Sequence, residues 1–479
     1  MPSAVRIFLD FNLPNATTWF YFSFLLAVAI FFKFSRFWSV RNLDILSLFL
    51  LMPGLMLIQA SRPSAQPVTR NPAIETASLV AGCVPMSVPA TLARVEVFSQ
   101  ERRATELDAR LLWFGYLWLL CGSGYYFVRC LLDLVLVQRP ALAPNLTFGG
   151  LAWFAMTLVV CLTAVVFRQS DRPAPPRPDG EATSEGLNNP LAKTPPETAF
   201  VTLVRQWFDP TSIMMRSFAM AGHLLVVLGL LLLGRVHYQD AVAGMAAATL
   251  YLMIPYTGMF VRQVDHVWPM AVIVWMLLAY RIPSLAGLLL GFASGSLYYP
   301  VLLFPVLLSF YRGRGAGRFA FFFFLGMTVV LGAVAFALHL QGNLGDSIHQ
   351  ALQQANWQPW KSPPADSEGF WSGVHAAYRI PVFVTYAVFV IATAFWPSPK
   401  NLAHLLALST AVLIGTQFWY GDQGGTYVLW YLPLLLLLVF RPNLETARPP
   451  VIDSSRDWIY RMRAWVFSRF RPAIADPIS

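Results

Sequence analysis

The sequence predicts an all-α fold, a polytopic bundle of transmembrane helices, and three observations carry that prediction. Hydrophobic residues make up 57% of the 479 positions and charged residues 12%, against roughly 25% charged in soluble domains. Apolar runs of the length needed to cross a hydrocarbon core of about 30 Å recur from end to end. One of them, LLVVLGLLLLG at 224–234, is apolar on every side; a helix in lipid can be so, whereas a barrel strand alternates apolar and polar residues.

Taken in order, the apolar runs place helices near 17–34, 44–60, 111–128, 150–167, 217–234, 239–257 and 267–280, then 284–297, 300–311, 318–338, 379–396, 402–418 and 426–440. That is about thirteen passes, with about eleven as the lower bound on such boundaries. The first run follows a segment with one Arg and one Asp and has no A-x-A-like cleavage site, so it reads as a retained helix rather than a signal peptide. Segment 284–311 is too long for one straight helix and contains Pro300 and Pro305. It reads as two short helices meeting near Tyr298 and Tyr299.

Short connections set the orientation, because Lys and Arg near helix ends stay cytoplasmic. Lys33, Arg36, Arg41, Arg235, Arg281, the turn RGRGAGR at 312–318 and Lys400 fall on one side if the amino terminus faces out and the carboxy terminus in. The +10 net charge is therefore read as inner-face retention with membrane lipids as the partner, and no nucleic acid is implied. The four cysteines form no C-x-x-C pair, and neither a cofactor nor a metal motif is visible, although a divalent metal is not excluded.

Four parts follow from composition. Residues 1–168 form an amino-terminal four-helix part with an outer loop at 61–110, read as a small interfacial cap. The Pro-rich stretch across 169–210 reads as a flexible linker. Residues 211–442 form a bundle of about nine helices. In the basic tail, 443–479, Trp458, Ile459, Met462, Trp465, Val466 and Phe470 share a helical face, as in a helix lying on the inner surface.

The ionisable residues are concentrated in the connections assigned to the outer face. The stretch VRQVDHVWPM brings Arg262, Gln263, Asp265 and His266 between two apolar runs, in a connection so short that its charges sit at the membrane boundary, where ionisable groups tend to face a cavity. The 341–378 connection adds Asp346, His349, Trp357, Trp360, Lys361, Asp366, Glu368, Trp371 and His375, and YGDQGGTY adds Tyr420, Asp422 and Gln423. Carboxylates can take a proton from an attacking hydroxyl, an Arg can hold a phosphate through paired donors, and rings can pack on sugar faces. Interfacial Trp and Tyr and solvated loop charges are the plainer explanation of each residue alone. A metal set of His266, His349 and His375 has no ligand spacing behind it. RNLD at 41–44 and Arg129 with Asp133 read as structural pairs at helix ends.

Taken together, RQVDHV and IPSLAGLLLGFASGSLYYPVLLFPVLL resemble the core of polyprenyl-phosphate-dependent membrane glycosyltransferases of the C-type superfamily, in particular bacterial membrane mannosyltransferases, over about 235–340. The matching residues are Gln263 and Asp265, then Ala286, Gly287, Gly291 and Ala293, then Tyr298 to Pro300. Arg262 and Leu297 stand where that family has Gly and Lys, and a basic turn follows the first helix where the family places its catalytic acid.

The resemblance implies transfer of a sugar from a polyprenyl-phosphate donor to an acceptor on the outer face. In this reading Asp265 and His266 are the catalytic pair, with Asp10, Glu75 and Asp108 as other positions for the base. Arg262, Gln263, Tyr298, Tyr299, Trp357, Trp360 and Asp422 would bind substrate. A transporter or lipid flippase and a non-catalytic scaffold stay open as alternatives; the first would show repeated halves, and no internal repeat is visible.

Overall fold

The structure, a computed structural model, describes residues 16–61, 88–135, 143–168, 213–340, 342, 344–345, 358–363, 369–442, 451–452, 461–462 and 465. The 169–210 stretch, most of the tail, Asp10, Glu75, Asp346, His349, Trp357, Asp366 and Glu368 lie outside them. Among the described residues the regular structure is entirely helical. Seven helices among the described residues are long and apolar enough to cross a membrane: Val40–Ser61, Ala109–Asp133, Phe148–Phe167, Ile213–His237, Ala316–Leu340, Ala376–Phe395 and Leu402–Trp419. The chain is a membrane protein.

Besides the short helix Pro255–Met259, the α-helices are α1 (Ala16–Phe31), α2 (Val40–Ser47), α3 (Met52–Ser61), α4 (Val88–Asp133), α5 (Phe148–Arg168), α6 (Ile213–His237), α7 (Ala241–Met253), α8 (Val264–Leu278), α9 (Pro283–Ser296), α10 (Phe304–Phe310), α11 (Ala316–Leu340), α12 (Ala376–Phe395), α13 (Leu402–Trp419) and α14 (Leu432–Phe440). Each apolar run read from the sequence overlaps one of these, α2 and α3 together forming the second, although the last run, 426–440, is α-helical only from Leu432. The break between α2 and α3 is held from outside, where the Leu51 N–H donates to the Tyr256 hydroxyl at 3.1 Å.

The 61–110 stretch differs from the sequence expectation of a separate cap. From Val88 the chain is already in α4, which runs unbroken for 46 residues, about 69 Å at 1.5 Å per residue. The reason is local. No Gly or Pro interrupts residues 90–114, and Pro89 falls in the first helical turn, where a missing N–H costs nothing. Ala109–Asp133 is the apolar part, so the polar first stretch extends well past it.

Contacts at the helix ends sort the bundle into two ends. At one, Tyr238 donates to the Leu437 carbonyl at 2.9 Å, the Phe31 and Phe440 rings meet at 5.6 Å, and Asn145 N donates to the Ile30 carbonyl at 2.7 Å. His237 reaches the Leu278 carbonyl at 2.8 Å, and the Tyr311 hydroxyl donates to the Tyr280 carbonyl at 2.6 Å. Lys33, Arg129, Arg235, Arg281, Arg312 and Arg441 all belong to this basic end. At the other, Arg262 Nη2 donates to the Val166 carbonyl at 3.0 Å, Arg379 Nε donates to the Trp419 carbonyl at 2.6 Å, and Tyr298 stacks on Tyr420 at 6.1 Å.

The 284–311 segment folds as the sequence suggests, breaking at extended Leu297 (φ −145°, ψ 143°) and returning through α10. The glycines of the first arm have a packing role. A Cβ on Gly287 would stand 2.3 Å from the Phe319 carbonyl oxygen and one on Gly291 2.1 Å from that of Phe323. α9 and α11 therefore run side by side in backbone contact, the arrangement small residues permit in lipid.

At the basic end a buried ion chain joins three distant parts of the sequence. Arg129 forks onto Asp44 through Nε and Nη2 at 2.7 and 2.8 Å, and its Nη1 reaches Asp133 at 3.2 Å. Arg441 meets the other Asp133 oxygen through Nε and Nη2 at 2.8 and 2.7 Å. The expected Arg129–Asp133 pair is present. Arg41, by contrast, donates to the Ala143 carbonyl at 2.7 Å, and the Asp44 carboxylate is taken by Arg129.

Candidate functional site

The loop before α8 is fixed from two sides. His223 Nε2 lies 3.2 Å from the Val261 carbonyl and Nδ1 lies 2.8 Å from the Tyr251 hydroxyl. Since a carbonyl only accepts, the proton sits on Nε2 and Nδ1 accepts from the tyrosine. Gln263 then turns the chain with extended dihedrals, and Asp265 falls in the first turn of α8, where a carboxylate meets the positive end of the helix dipole. Val264 packs with Met215 and Ala219. Because Ala219 is six residues into α6, Asp265 and His266 lie about 9 Å inside that helix's end.

The second wall is the connection from α13 to α14. Residues 420–431 are non-helical or form a single 3₁₀ turn, yet nearly all are buried. Non-helical backbone at such depth needs internal partners. Gln417 Oε1 accepts the Gly425 N–H at 3.0 Å, and Gly425 adopts φ +97°, which favours glycine. Gly421 lies against the Arg379 guanidinium, where an added Cβ would come within 2.9 Å of Nη1. Arg379 is 0% exposed, and its Nη1 also donates to the Lys361 carbonyl at 3.3 Å.

These walls bring a ladder of rings together. Phe260 stacks on His266 at 4.8 Å, His266 faces Tyr427 at 5.3 Å, Tyr427 stacks on Trp430 at 4.3 Å and Trp430 on Tyr299 at 4.2 Å. Tyr420 meets Tyr427 edge-on at 5.0 Å and carries the stacked Tyr298 on its other side. Each such pair contributes about 0.5–1.5 kcal/mol beyond burial. Burial, and then the neighbouring Tyr298, push the Tyr420 hydroxyl well above its ordinary pKa, so it stays protonated.

Four buried side chains in this cluster carry polar atoms without a hydrogen-bond partner among the described residues: His266 Nδ1, Gln423 Nε2, Tyr299 Oη and Trp430 Nε1. Buried polar groups are nearly always paired, and each exception costs about 1–3 kcal/mol. Such a concentration makes this cluster the candidate site.

No family model, curated protein or solved structure matches this chain. The site stands on its own geometry.

Of the residues singled out in the sequence, Asp265, His266, Tyr298, Tyr299 and the 420–423 turn converge. Asp265 and His266 are buried, 4% and 1% exposed, beneath the rings rather than on the floor of an open cavity. Gln263 is half-buried beside them. Arg262 closes the carboxy-terminal end of α5. The Asp422 carbonyl accepts from the Tyr427 hydroxyl at 3.4 Å. Trp360 is 59% exposed and forms no part of the ladder. His375 accepts the Ala377 N–H at the start of α12. Among the described residues no group of three or more His, Cys, Asp or Glu side chains gathers as a metal would need.

Sequence reasoning missed His223, Arg379, Gln417, Tyr427 and Trp430 as parts of this cluster. Their signal was weak but present: Arg379 and Gln417 are polar residues inside the apolar runs AAYRIPVFVTYAVFVIATAF and LAHLLALSTAVLIGTQFW.

Proposed function

We propose that the protein is a glycosyltransferase of the cell membrane that moves a sugar from a polyprenyl-phosphate donor to an acceptor hydroxyl on the outer face. In this reading the thirteen helical segments all cross the membrane, the amino terminus faces out and the basic end faces the cytoplasm. The observation that carries it is the set of four orphaned polar atoms around stacked rings beside Asp265, assembled from segments more than 150 residues apart in the sequence.

The chemistry follows from that set. The acceptor oxygen attacks the anomeric carbon, the bond from that carbon to the phosphate oxygen breaks, and the polyprenyl phosphate leaves with the electron pair. Asp265 takes the acceptor's proton and His266 steadies the resulting charge distribution. Tyr298 and Tyr299 pack against the sugar and lipid, Gln263 and Asp422 accept or donate to sugar hydroxyls, and Arg262 contacts the phosphate. The rings stack at 4.2–5.3 Å, so substrate enters only when they part, and the 369–374 turn lies against the same wall, where a Cβ on Gly369 would come within 3.0 Å of Gln423 N. Trp371 pins that turn by donating to the Phe418 carbonyl at 2.9 Å.

The test is transfer by the purified protein in liposomes supplied with a panel of polyprenyl-phosphate sugars. Asp265→Asn at matched folding is expected to lower turnover roughly 10²–10⁴-fold, the usual worth of a general base. Transfer kept within a fewfold in that variant would place the base elsewhere. No transfer from any donor would favour a scaffold, the reading that the close stacking of the rings supports.

A further inference from the structure

We infer that the turn joining α10 to α11 is a binding site for the phosphate headgroup of an anionic phospholipid. Four arginines gather there. The Tyr311 hydroxyl on the Tyr280 carbonyl ties the two turns together, and a Cβ on Gly315 would fall 3.1 Å from Pro283 Cγ and 3.0 Å from Arg318 Nη2. Arg281 and Arg312 are exposed; Arg314 and Arg318 are half-buried. Arg281 is set over the Tyr280 ring, its guanidinium carbon 5.8 Å from the centroid, which fixes the direction in which its charge is presented.

The stretch that carries these arginines has charge of one sign. From Asp265 to Asp346 the sequence contains no Asp or Glu. The cluster also stands at the amino-terminal end of α11, whose first turn has no acidic residue. A helix start carries about half a positive charge, so basic side chains are disfavoured there unless an anion joins them. Gly313 and Gly315 adopt φ +73° and +117°, which turns the chain tightly between exposed Arg312 and half-buried Arg314.

The depth and the surroundings select a lipid as the source of the phosphate. A membrane-crossing helix begins at Ala316, immediately after the turn. Beneath the arginines, Leu285 and Leu288 of α9 and Phe321 and Phe324 of α11 are 37–63% exposed, an apolar surface suited to acyl chains. Basic pockets between transmembrane helices bind anionic headgroups in this way.

The test uses the full-length protein in dodecyl maltoside and follows its thermal midpoint as phosphatidylglycerol, phosphatidylcholine or inorganic phosphate is added. Phosphatidylglycerol is expected to raise the midpoint of the wild type beyond phosphatidylcholine at equal mole fraction. Arg312→Gln/Arg314→Gln is expected to need about 30-fold more phosphatidylglycerol for the same shift. The charge-matched variant Lys33→Gln/Arg235→Gln, altered elsewhere on the same end, should respond as the wild type does. Equal responses to the two lipids, an equal loss in the charge-matched variant, or a full shift with inorganic phosphate alone would each overturn the assignment.

Discussion

Replacing Gly291 with valine is expected to lower the stability of the protein in detergent by about 3 kcal/mol, the upper part of the range for overpacked sites. The added Cβ would stand 2.1 Å from the Phe323 carbonyl oxygen and 2.9 Å from Met327 N. Both are backbone atoms, so no rotamer change relieves the clash and α9 must move off α11. Helices in lipid gain nothing from hydrophobic exclusion on meeting, so their association depends on this close fit. The displacement would reach the site as well, because α9 ends directly before Tyr298 and Tyr299. Gly332→Ala on α11 is the matched control. Nothing lies within 4 Å of its added Cβ, and helix propensity predicts a gain of up to about 1 kcal/mol. Denaturation of both variants in one detergent checks the pair; a Gly291→Val protein as stable as the wild type would mean that α9 and α11 do not touch.

The second large effect is expected at Asp133. It receives Arg129 from its own helix and Arg441 from the end of α14, 308 positions away. Asp133→Asn removes the charge facing both guanidiniums while leaving them buried, 8% and 4% exposed. Breaking a buried pair from one side costs about 3–5 kcal/mol, chiefly the cost of the charge left behind. Arg441→Met should cost less, because Asp133 retains Arg129. The double variant Asp133→Asn/Arg441→Met should recover part of the loss, since one stranded cation is gone. Thermal unfolding of the three variants measures the coupling, and strictly additive losses would show that the two residues do not interact.

Much of the fold was legible because its signal is local. Apolar runs announce helices wherever they occur, and Pro300 with Pro305 announced the break that the structure places at Leu297. Pairings across long separations were not legible. RNLD looked self-sufficient, yet Asp44 turns to Arg129, 85 positions on, which no periodicity reports. The small residues of α9 were read as part of a family motif, whereas in the structure Gly287 and Gly291 serve contact with α11; spacing alone does not separate the two uses. α4 was underestimated because its polar first stretch has no apolar run, although the absence of Gly and Pro from 90 to 114 told of its continuity.

The candidate site shows the same division. Asp265 and His266 stood out as ionisable residues between apolar runs, and YGDQGGTY stood out by its glycines. Tyr427 closes that same stretch without being singled out, and Trp430, which completes the ring ladder, belongs to a run indistinguishable from any apolar helix start. They became visible only when residues 420–431 were found buried without regular helix.

The most direct measurement is photocrosslinking with a polyprenyl-phosphate sugar carrying a diazirine on the sugar, followed by mapping of the modified peptides of the wild-type protein in liposomes. The proposed site predicts labels within 260–266, 298–299 and 420–431, suppressed by excess unlabelled donor. Labels confined to the basic end, or labels that the unlabelled donor does not suppress, would contradict it.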